Sequence, residues 1–191
     1  MGKNAESKRA DSPTWRQEEG EPRWLSPAER RAWLAFWWAM HLVDATVDRD
    51  LQGRSGLSHG EYQILATLSI APGRRLRMGA LAEVVVVSRS RLTYQVTQLE
   101  GAGLVRREGD LGDKRGTVCA LTERGMGVLR AAAPGHVACV RRVFFDVLTP
   151  EQVAVLGDAL GAVTDHLIAE ADPDGAMTFL TALRAGMQDD A

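Results

Sequence analysis

Residues 88–100 carry side chains suited to contacting another hydrogen-bonding surface. Leu92, Val96 and Leu99 recur at helical spacing and mark the buried side of a predicted helix that Ser88 caps. The other side carries hydroxyl, amide, phenol and guanidinium groups, from Arg89, Ser90, Arg91, Thr93, Tyr94 and Gln98. Guanidinium groups bind guanine O6 and N7 or phosphate oxygens, so this pattern fits a helix that reads the major groove of DNA. An ordinary amphipathic surface helix has the same separation.

The charges of the chain are unevenly distributed along the sequence. The formal net charge is only −2, which by itself argues weakly against a nucleic-acid partner. From Arg74 to Arg115, however, nine basic residues stand against five acidic ones, whereas from Asp146 onward nine acidic residues stand against Arg184 alone. The middle of the chain can therefore face an anion such as the DNA backbone, and the last third cannot.

The elements before this segment are two longer helices and a short strand. Ser26-Pro27-Ala28-Glu29 is a capping box that predicts a helix to about Asp50, apolar on nearly every side, with Gly53 and Gly56 ending it. Such a helix is buried from several directions, and a second subunit is one candidate partner. Ser58 caps a second helix to about Ser69, and Arg75-Leu76 is a short strand.

A helix-turn-helix followed by a hairpin is predicted next. A short helix covers about Met78 to Val86, and the helix capped by Ser88 ends near Gly101. Residues 104–108 and 117–121 are strand-like and flank a long charged tip. Thr122 caps a helix to about Val147, and the capping box at Thr149 starts another to about Ala171. The fold class predicted is mainly α (α+β), a winged helix-turn-helix.

Five motifs in order resemble the MarR family of transcriptional regulators. They are Leu81-Ala82-Glu83, Ser88-Arg89-Ser90-Arg91-Leu92-Thr93, Leu99-Glu100-Gly101-Ala102-Gly103-Leu104-Val105-Arg106, Asp113-Lys114-Arg115-Gly116 and Leu121-Thr122-Glu123-Arg124-Gly125. The resemblance extends from about Ser26 to Ile168. It implies a homodimer held by N- and C-terminal helices, a near-palindromic double-stranded DNA operator and, often, a small ligand that alters DNA affinity.

The resemblance also assigns DNA-contacting roles to individual residues. Ser90, Arg91, Thr93 and Gln98 match positions that contact bases and phosphates. Arg115 matches the wing arginine that enters the minor groove, and Asp113 matches the acid that shapes the wing and supports it. The predicted DNA-binding set is Arg77, Arg89, Ser90, Arg91, Thr93, Tyr94, Gln98, Lys114 and Arg115. A solvent-exposed turn with an ion pair is the alternative for Asp113 and Arg115.

The domain organisation predicted from these patterns has five parts. Residues 1–25 are a mobile tail, and residues 26–52 form the first dimerisation helix. Residues 53–121 form the winged DNA-binding domain, residues 122–172 the later dimerisation helices, and residues 173–191 a C-terminal extension.

A small-molecule site is predicted beside the winged domain, where the family lodges its ligands. The candidate lining residues are Trp33, Trp37, His41, His59, Tyr62 and Arg89. Indole and imidazole rings give an apolar wall with polar tips, which suits a small aromatic or phenolic ligand. Aromatic residues at helical spacing are also typical of a simple core. The run Val84 to Val87 has no functional interpretation at this stage.

Other functions are less well supported by the sequence. The four histidines, His41, His59, His136 and His166, lack metal-ligand spacing, and no phosphate loop or nucleophile motif occurs, so we expect neither an enzyme nor a cofactor. Cys119 and Cys139 leave a redox-responsive regulator as one alternative, and a constitutive architectural DNA-binding protein is another. With no apolar segment long enough for a membrane span or secretory signal, we expect a cytoplasmic protein.

Overall fold

The computed structural model describes residues 22–109 and 116–171, in which the chain is mainly helical. The elements in order are α1 (Pro27–Ser55), α2 (His59–Ile70), β1 (Arg75–Arg77), α3 (Met78–Val84), α4 (Arg89–Gly101), β2 (Val105–Gly109), β3 (Thr117–Leu121), α5 (Glu123–Val143) and α6 (Pro150–Ala171). The predicted fold class, mainly α with a small sheet, is confirmed. The chain forms two compact units, residues 1–38 and 39–191.

The first unit contains the beginning of α1. The Ser26 hydroxyl accepts a hydrogen bond from the Glu29 backbone N–H (3.2 Å), and the Glu29 carboxylate accepts one from the Ser26 N–H (2.7 Å), which confirms the predicted capping box. Trp33 then packs its ring against those of Phe36 and Trp37 at centroid distances of 6.0 and 6.2 Å. Half of the Trp33 side chain nevertheless remains exposed, so this aromatic group is not a buried core.

The second unit has one hydrophobic core, to which helices and sheet both contribute. Its fully buried members are Val47, Leu51, Ile64, Leu65, Leu68, Leu81, Leu92, Val96, Leu99, Val105 and Cys119. Burial of each large aliphatic side chain contributes about 1.5–3 kcal/mol, so these residues hold the winged domain together. Leu92, Val96 and Leu99 are the residues that helical spacing predicted for the inner side of α4.

Side-chain caps begin α2, α4, α5 and α6 of the second unit where the sequence predicts them, whereas α3 begins without one. Ser58 and Glu61 form a reciprocal capping box at α2. Ser88 accepts from the Arg91 N–H at α4, and Thr122 accepts from the Gly125 N–H at α5. At α6, Thr149 Oγ1 accepts from the Gln152 N–H while the Gln152 side chain accepts from the Thr149 N–H. These caps satisfy N–H groups that have no partner inside the helix, so short polar residues fix the helix starts.

The sheet has the strand order β1-β3-β2 with both pairs antiparallel. Leu76 and Arg107 both pair with Cys119, from opposite sides of β3. β2, β3 and the segment joining them form the wing, and β1 adds the strand that precedes α3. The wing is therefore anchored to the helix-turn-helix by backbone hydrogen bonds.

Three helix ends differ from the sequence prediction. α1 continues through Gly53 to Ser55, because Leu51 is buried in the core and Arg54 pairs with Asp50 (2.9 Å), so the last turn is held by tertiary contacts. α3 ends at Val84, two residues earlier than predicted. α5 ends at Val143 instead of Val147 and is followed by a single 3₁₀ turn.

Several predictions concern residues outside the described ranges. These are most of the tail at 1–25, the wing-tip residues Asp113, Lys114 and Arg115, and the C-terminal extension at 173–191. Among the helices that the structure does describe, none is long and apolar enough to cross a membrane.

Candidate nucleic-acid interface and adjoining cavity

The outward face of α4 presents the polar side chains that the sequence selected. All six predicted residues of this helix are exposed: Arg89, Ser90, Arg91, Thr93, Tyr94 and Gln98. Thr93 donates its hydroxyl to the Arg89 carbonyl (2.8 Å), so its methyl group is free to face outward. Within the described part of the chain, neither Arg89 nor Arg91 forms an ion pair, so both guanidinium groups are available to an external anion.

A groove of about 570 Å³ separates the start of α4 from the sheet. Arg77, Arg89 and Arg107 line it, together with Thr93 and Thr117. The groove connects the helix surface to Gly116 and Thr117, the first described residues after the wing tip. Arg89, which forms no ion pair among the described residues, thus lies beside polar side chains of α4 on a surface suited to a phosphate backbone.

Arg107, on strand β2 of the wing, connects the wing to helix α4. Its side chain pairs with the Glu100 carboxylate (2.7 Å) and donates to the Thr97 hydroxyl (2.9 Å). Its backbone N–H also donates to Glu100 (2.8 Å), and these hydrogen bonds hold the pKa of the Glu100 carboxyl below its usual range. Sequence reasoning missed the pairing of Arg107 with Glu100. One residue is on a helix and the other on a strand seven positions later, so the pairing depends on the turn between them.

A close contact at Gly125 fixes the base of the wing against α5. A Cβ atom at this position would lie 2.0 Å from the Leu104 carbonyl oxygen, so only glycine allows the approach. Thr122 donates its hydroxyl to the Gly103 carbonyl (2.8 Å) beside it. These two contacts explain the last of the five motifs, Leu121-Thr122-Glu123-Arg124-Gly125. Its threonine and glycine join the end of β3 and the start of α5 to the loop after α4.

A second, larger cavity of about 880 Å³ lies between α2, the end of α3 and α5. Tyr62 and His136 contact each other in its wall, with ring centroids 4.2 Å apart and an interplanar angle of 34°. The ring centroid of His59 lies 5.8 Å from that of His136. The remaining lining residues are Gln63, Ala66, Thr67, Ser69, Ile70, Val84, Val85, Val86, Met126, Leu129, Arg130 and Ala133. The cavity is therefore mainly apolar, with imidazole, phenol and guanidinium groups at defined places.

Polar groups around the cavity are held in place from α1. His59 Nδ1 lies 2.7 Å from Asp44 Oδ1, and the His59 backbone N–H donates to Asp48 (2.8 Å). His136 Nδ1 is buried and has no hydrogen-bond partner among the described residues. Burial, and then the nearby His59, lower the pKa of His136, so its ring favours the neutral form.

The structure separates the residues predicted for the ligand site. His59 and Tyr62 line the cavity, whereas Arg89 lines the groove beside α4 instead. Trp33 and Trp37 belong to the first unit and are 52% and 42% exposed, and His41 is exposed on α1.

Sequence reasoning missed the contribution of α5 and of the valine run. Met126, Leu129, Arg130, Ala133 and His136 lie three or four residues apart, which places them on one face of α5. That spacing was readable in the sequence, although the partner of this face was not. Val84, Val85 and Val86 form part of the cavity wall, and Val86, with a φ of 52°, is 84% exposed.

Neither cysteine is placed for redox sensing. Burial raises the pKa of the Cys119 thiol to about 12, and the nearby Glu100 adds to this effect. Cys139 is also buried, on α5. The Cys119 thiol therefore stays protonated and is a poor nucleophile. Cys139 packs in the same hydrophobic core as a small side chain, with the Arg142 guanidinium 3.5 Å from its sulfur. In the ranges that the structure describes, no group of three His, Cys, Asp or Glu residues is placed to hold a metal ion.

Comparison with known proteins identifies the family. A MarR family model matches residues 55–116. The regulator PecS of Dickeya dadantii is 30% identical over 137 residues, covering 66% of this chain and 76% of PecS.

Two MarR family regulators from Streptomyces coelicolor have similar structures. Sco3205, solved in complex with DNA, has a TM-score of 0.72 at 44% identity and covers 78% of this chain and 92% of its own. AbsC has a TM-score of 0.70 at 42% identity, and the match covers 76% of this chain and 98% of AbsC. The resemblance seen in the sequence motifs is confirmed, and the chain belongs to the MarR family of DNA-binding transcriptional regulators.

Proposed function

We propose that the protein is a homodimeric repressor that binds a near-palindromic double-stranded DNA operator and is released by a small aromatic anion. The observation that carries the proposal is the exposed polar face of α4, whose two guanidinium groups have no ion pair in the described part of the chain. Selection of bound duplexes from random DNA, followed by a mobility-shift titration, tests it. Failure to enrich any sequence would refute the proposal.

The proposed contacts divide between the major groove and the backbone. Arg91 reads base edges, with Ser90, Thr93, Tyr94 and Gln98 beside it on the exposed face of α4. Arg77 and Arg89 line the groove toward the sheet and bind phosphates. Lys114 and Arg115 of the wing tip, supported by Asp113, reach the adjacent minor groove.

The proposed dimer rests on apolar side chains that one chain leaves exposed. Large exposed residues occur on both terminal helices: Trp33, Leu34, Trp37, Trp38 and Leu42 on α1, and Val155, Leu160, Val163 and Leu167 on α6. Such surfaces mark protein–protein contacts, and a second copy is the occupant we propose. Light scattering should give the mass of a dimer. Leu160→Asp/Val163→Asp should lower that mass or aggregate the protein, with circular dichroism as the measure of folding.

The proposed ligand binds in the cavity between α2, α3 and α5. The rings of Tyr62 and His136, in contact at an interplanar angle of 34°, offer an aromatic wall, and Arg130 is exposed at the lining with no ion pair among the described residues. A guanidinium group next to aromatic rings suits a ring that carries a carboxylate. Because α3 ends at the cavity and α4 follows within five residues, occupancy shifts the DNA-reading helix and lowers DNA affinity.

Thermal-shift titrations with benzoate, salicylate and nicotinate, and with benzamide as the uncharged control, test this ligand class. We expect the acids to raise the melting temperature and benzamide to have little effect. Arg130→Gln should abolish the response to acids. Arg124→Gln, an exposed arginine on the same helix outside the cavity lining, should preserve it. If no small molecule changes the melting temperature or the DNA affinity, a ligand-independent DNA-binding protein is the better description.

A further inference from the structure

The wing sheet has an outer face that carries a row of charged side chains. Arg75 and Arg106 both pair with Ala120, and Arg77 and Glu108 both pair with Val118. Directly paired residues, and residues two apart along a strand, project from the same side of a sheet. Arg75, Arg77, Arg106 and Glu108 therefore share one side, which we call the outer face.

Long side chains cover the apolar residues of this face. Val118 and Ala120 are buried, yet the hydrophobic core contains their neighbours Cys119 and Leu121 and not these two. The alkyl stems of arginines on the flanking strands can exclude water from small residues while the charged ends stay in solvent. The side chains of Arg75 and Arg106 are indeed 54% and 58% exposed.

The outer face has an excess of positive charge. Glu108 contacts Arg106 directly and lies 3.5 Å from Arg75, so one carboxylate stands between two guanidinium groups. Among the described residues of this face, the two guanidinium groups of Arg75 and Arg106 share the single carboxylate of Glu108. Each guanidinium has five N–H donors, and one shared carboxylate cannot use them all. The contacts to Glu108 orient the two groups and leave donors for a further anion.

The outer face adjoins the surface that reads DNA. Arg77 ends β1 and also lines the groove shared with Arg89 and Thr93 of α4. Gly116 and Thr117, which follow the wing tip, line the same groove. A duplex bound by α4 and the wing therefore passes close to this face wherever it extends beyond the bases being read.

We propose that the outer face binds backbone phosphates of the DNA that flanks each half-site, which extends the contact beyond the bases read by α4 and the wing. The proposal rests on the proposed DNA-binding function. It adds a contact that depends on the length of the duplex and not on its sequence, since phosphate contacts carry no direct sequence information.

Two duplexes with the same selected operator test the proposal. The short one ends at the operator, and the long one continues for about one helical turn on each side, roughly 10 base pairs. The parent should bind the long duplex more tightly and with a steeper dependence on salt. Arg75→Gln/Arg106→Gln should lose this gain, with a salt slope shallower by about 2 per subunit, since each phosphate contact contributes about 0.9.

Further variants test whether the gain on the long duplex depends on where the arginines lie or only on the total charge of the protein. Arg49→Gln/Arg141→Gln removes two exposed arginines from α1 and α5, away from the sheet, and should bind both duplexes as the parent does. Arg75→Lys/Arg106→Lys keeps the charges and should keep most of the salt slope. Glu108→Gln removes the competing carboxylate and should tighten binding to the long duplex only. These last two variants keep the proposal testable if the double glutamine variant fails to fold by circular dichroism.

Two results would overturn the proposal. One is equal binding of the parent and Arg75→Gln/Arg106→Gln to both duplexes. The other is an equal loss on both duplexes, which would place these arginines inside the operator contact or in the support of the wing. If the parent selects no DNA at all, the proposed function itself fails, and this result is distinct from a missing effect of length.

Discussion

The Gln95 side chain of α4 lies directly over Gly60 of α2. A Cβ atom at residue 60 would lie 2.2 Å from Gln95 Nε2. Gln95 is only 8% exposed, and its Oε1 has no hydrogen-bond partner among the described residues. Gly60 follows His59, which lines the cavity. α4 therefore rests on the start of α2, which bounds the cavity, through the end of the Gln95 side chain.

Gly60→Ala should displace the Gln95 amide, which is the end of a flexible side chain, so its cost should lie at the low end of the about 1–3 kcal/mol usual for inserting a methyl group into a packed site. Urea unfolding measures the change. Gly127→Ala is the matched control on α5, where a Cβ would meet nothing within 4 Å, and it should stabilise the helix by about 0.5–1 kcal/mol. Gln95→Ala should restore room for the methyl group. Additive effects of Gly60→Ala and Gln95→Ala would contradict the contact.

Arg91 and Arg115 should affect DNA binding in different ways. Arg91→Ala should cost about 1–3 kcal/mol of binding free energy and relax the preference at particular base pairs, because we propose that this exposed residue reads base edges in the major groove. Arg115→Ala should weaken binding to all sequences and reduce the salt slope by about 1. Titrations with the selected operator and its single-base variants separate the two patterns. Parent-like binding by both variants would show that the docking geometry is wrong.

Stability should decrease in mild acid because of His136. Its pKa is lower in the folded protein, owing to burial and to His59, so the unfolded chain binds this proton more readily. The free energy of unfolding should therefore fall as the pH drops below about 6.5, the ordinary histidine value, and level off below the folded pKa. His136→Phe keeps a ring against Tyr62 and should flatten the profile measured by urea unfolding between pH 8 and 5. His166→Phe, at an exposed site on α6, should leave the profile as it is.

DNA binding should be insensitive to peroxide. The pKa of Cys119 is raised to about 12, so its reactive thiolate is scarce in the folded protein, and burial shields the Cys139 sulfur from oxidants in solution. A thiol reagent at pH 8 should label both cysteines in denaturant and neither quickly without it. Rapid labelling of the native protein, coupled to a loss of operator binding, would support the redox-responsive alternative.

Local chemistry explains which features could be predicted from the sequence. Each helix cap accepts a hydrogen bond from an N–H group three residues later, so a few consecutive residues are enough to predict where a helix starts. The caps are Ser58, Ser88, Thr122 and Thr149. The exposed face of α4 follows from helical spacing in the same way.

Features that depend on contacts distant in sequence could not be predicted. Tyr62 and His136 are 74 positions apart, and their stacking requires the arrangement of α2 against α5. The end of α1 beyond Gly53 also depends on tertiary burial of Leu51. Arg89 was predicted to reach the edge of the ligand site from the start of α4, and in the structure it lines the groove beside that helix.

The attachment of Arg107 to Glu100 and Thr97 has a consequence for the DNA itself. Because this contact ties the strand that leads to the wing tip to the last turns of α4, the helix and the wing base move together. In the proposed complex, the bases that α4 reads in the major groove and the minor-groove position that the wing reaches then have a fixed separation along the duplex. One base pair inserted between these two positions rotates them by about a tenth of a helical turn. A half-site altered in this way can satisfy the helix or the wing, and not both at once.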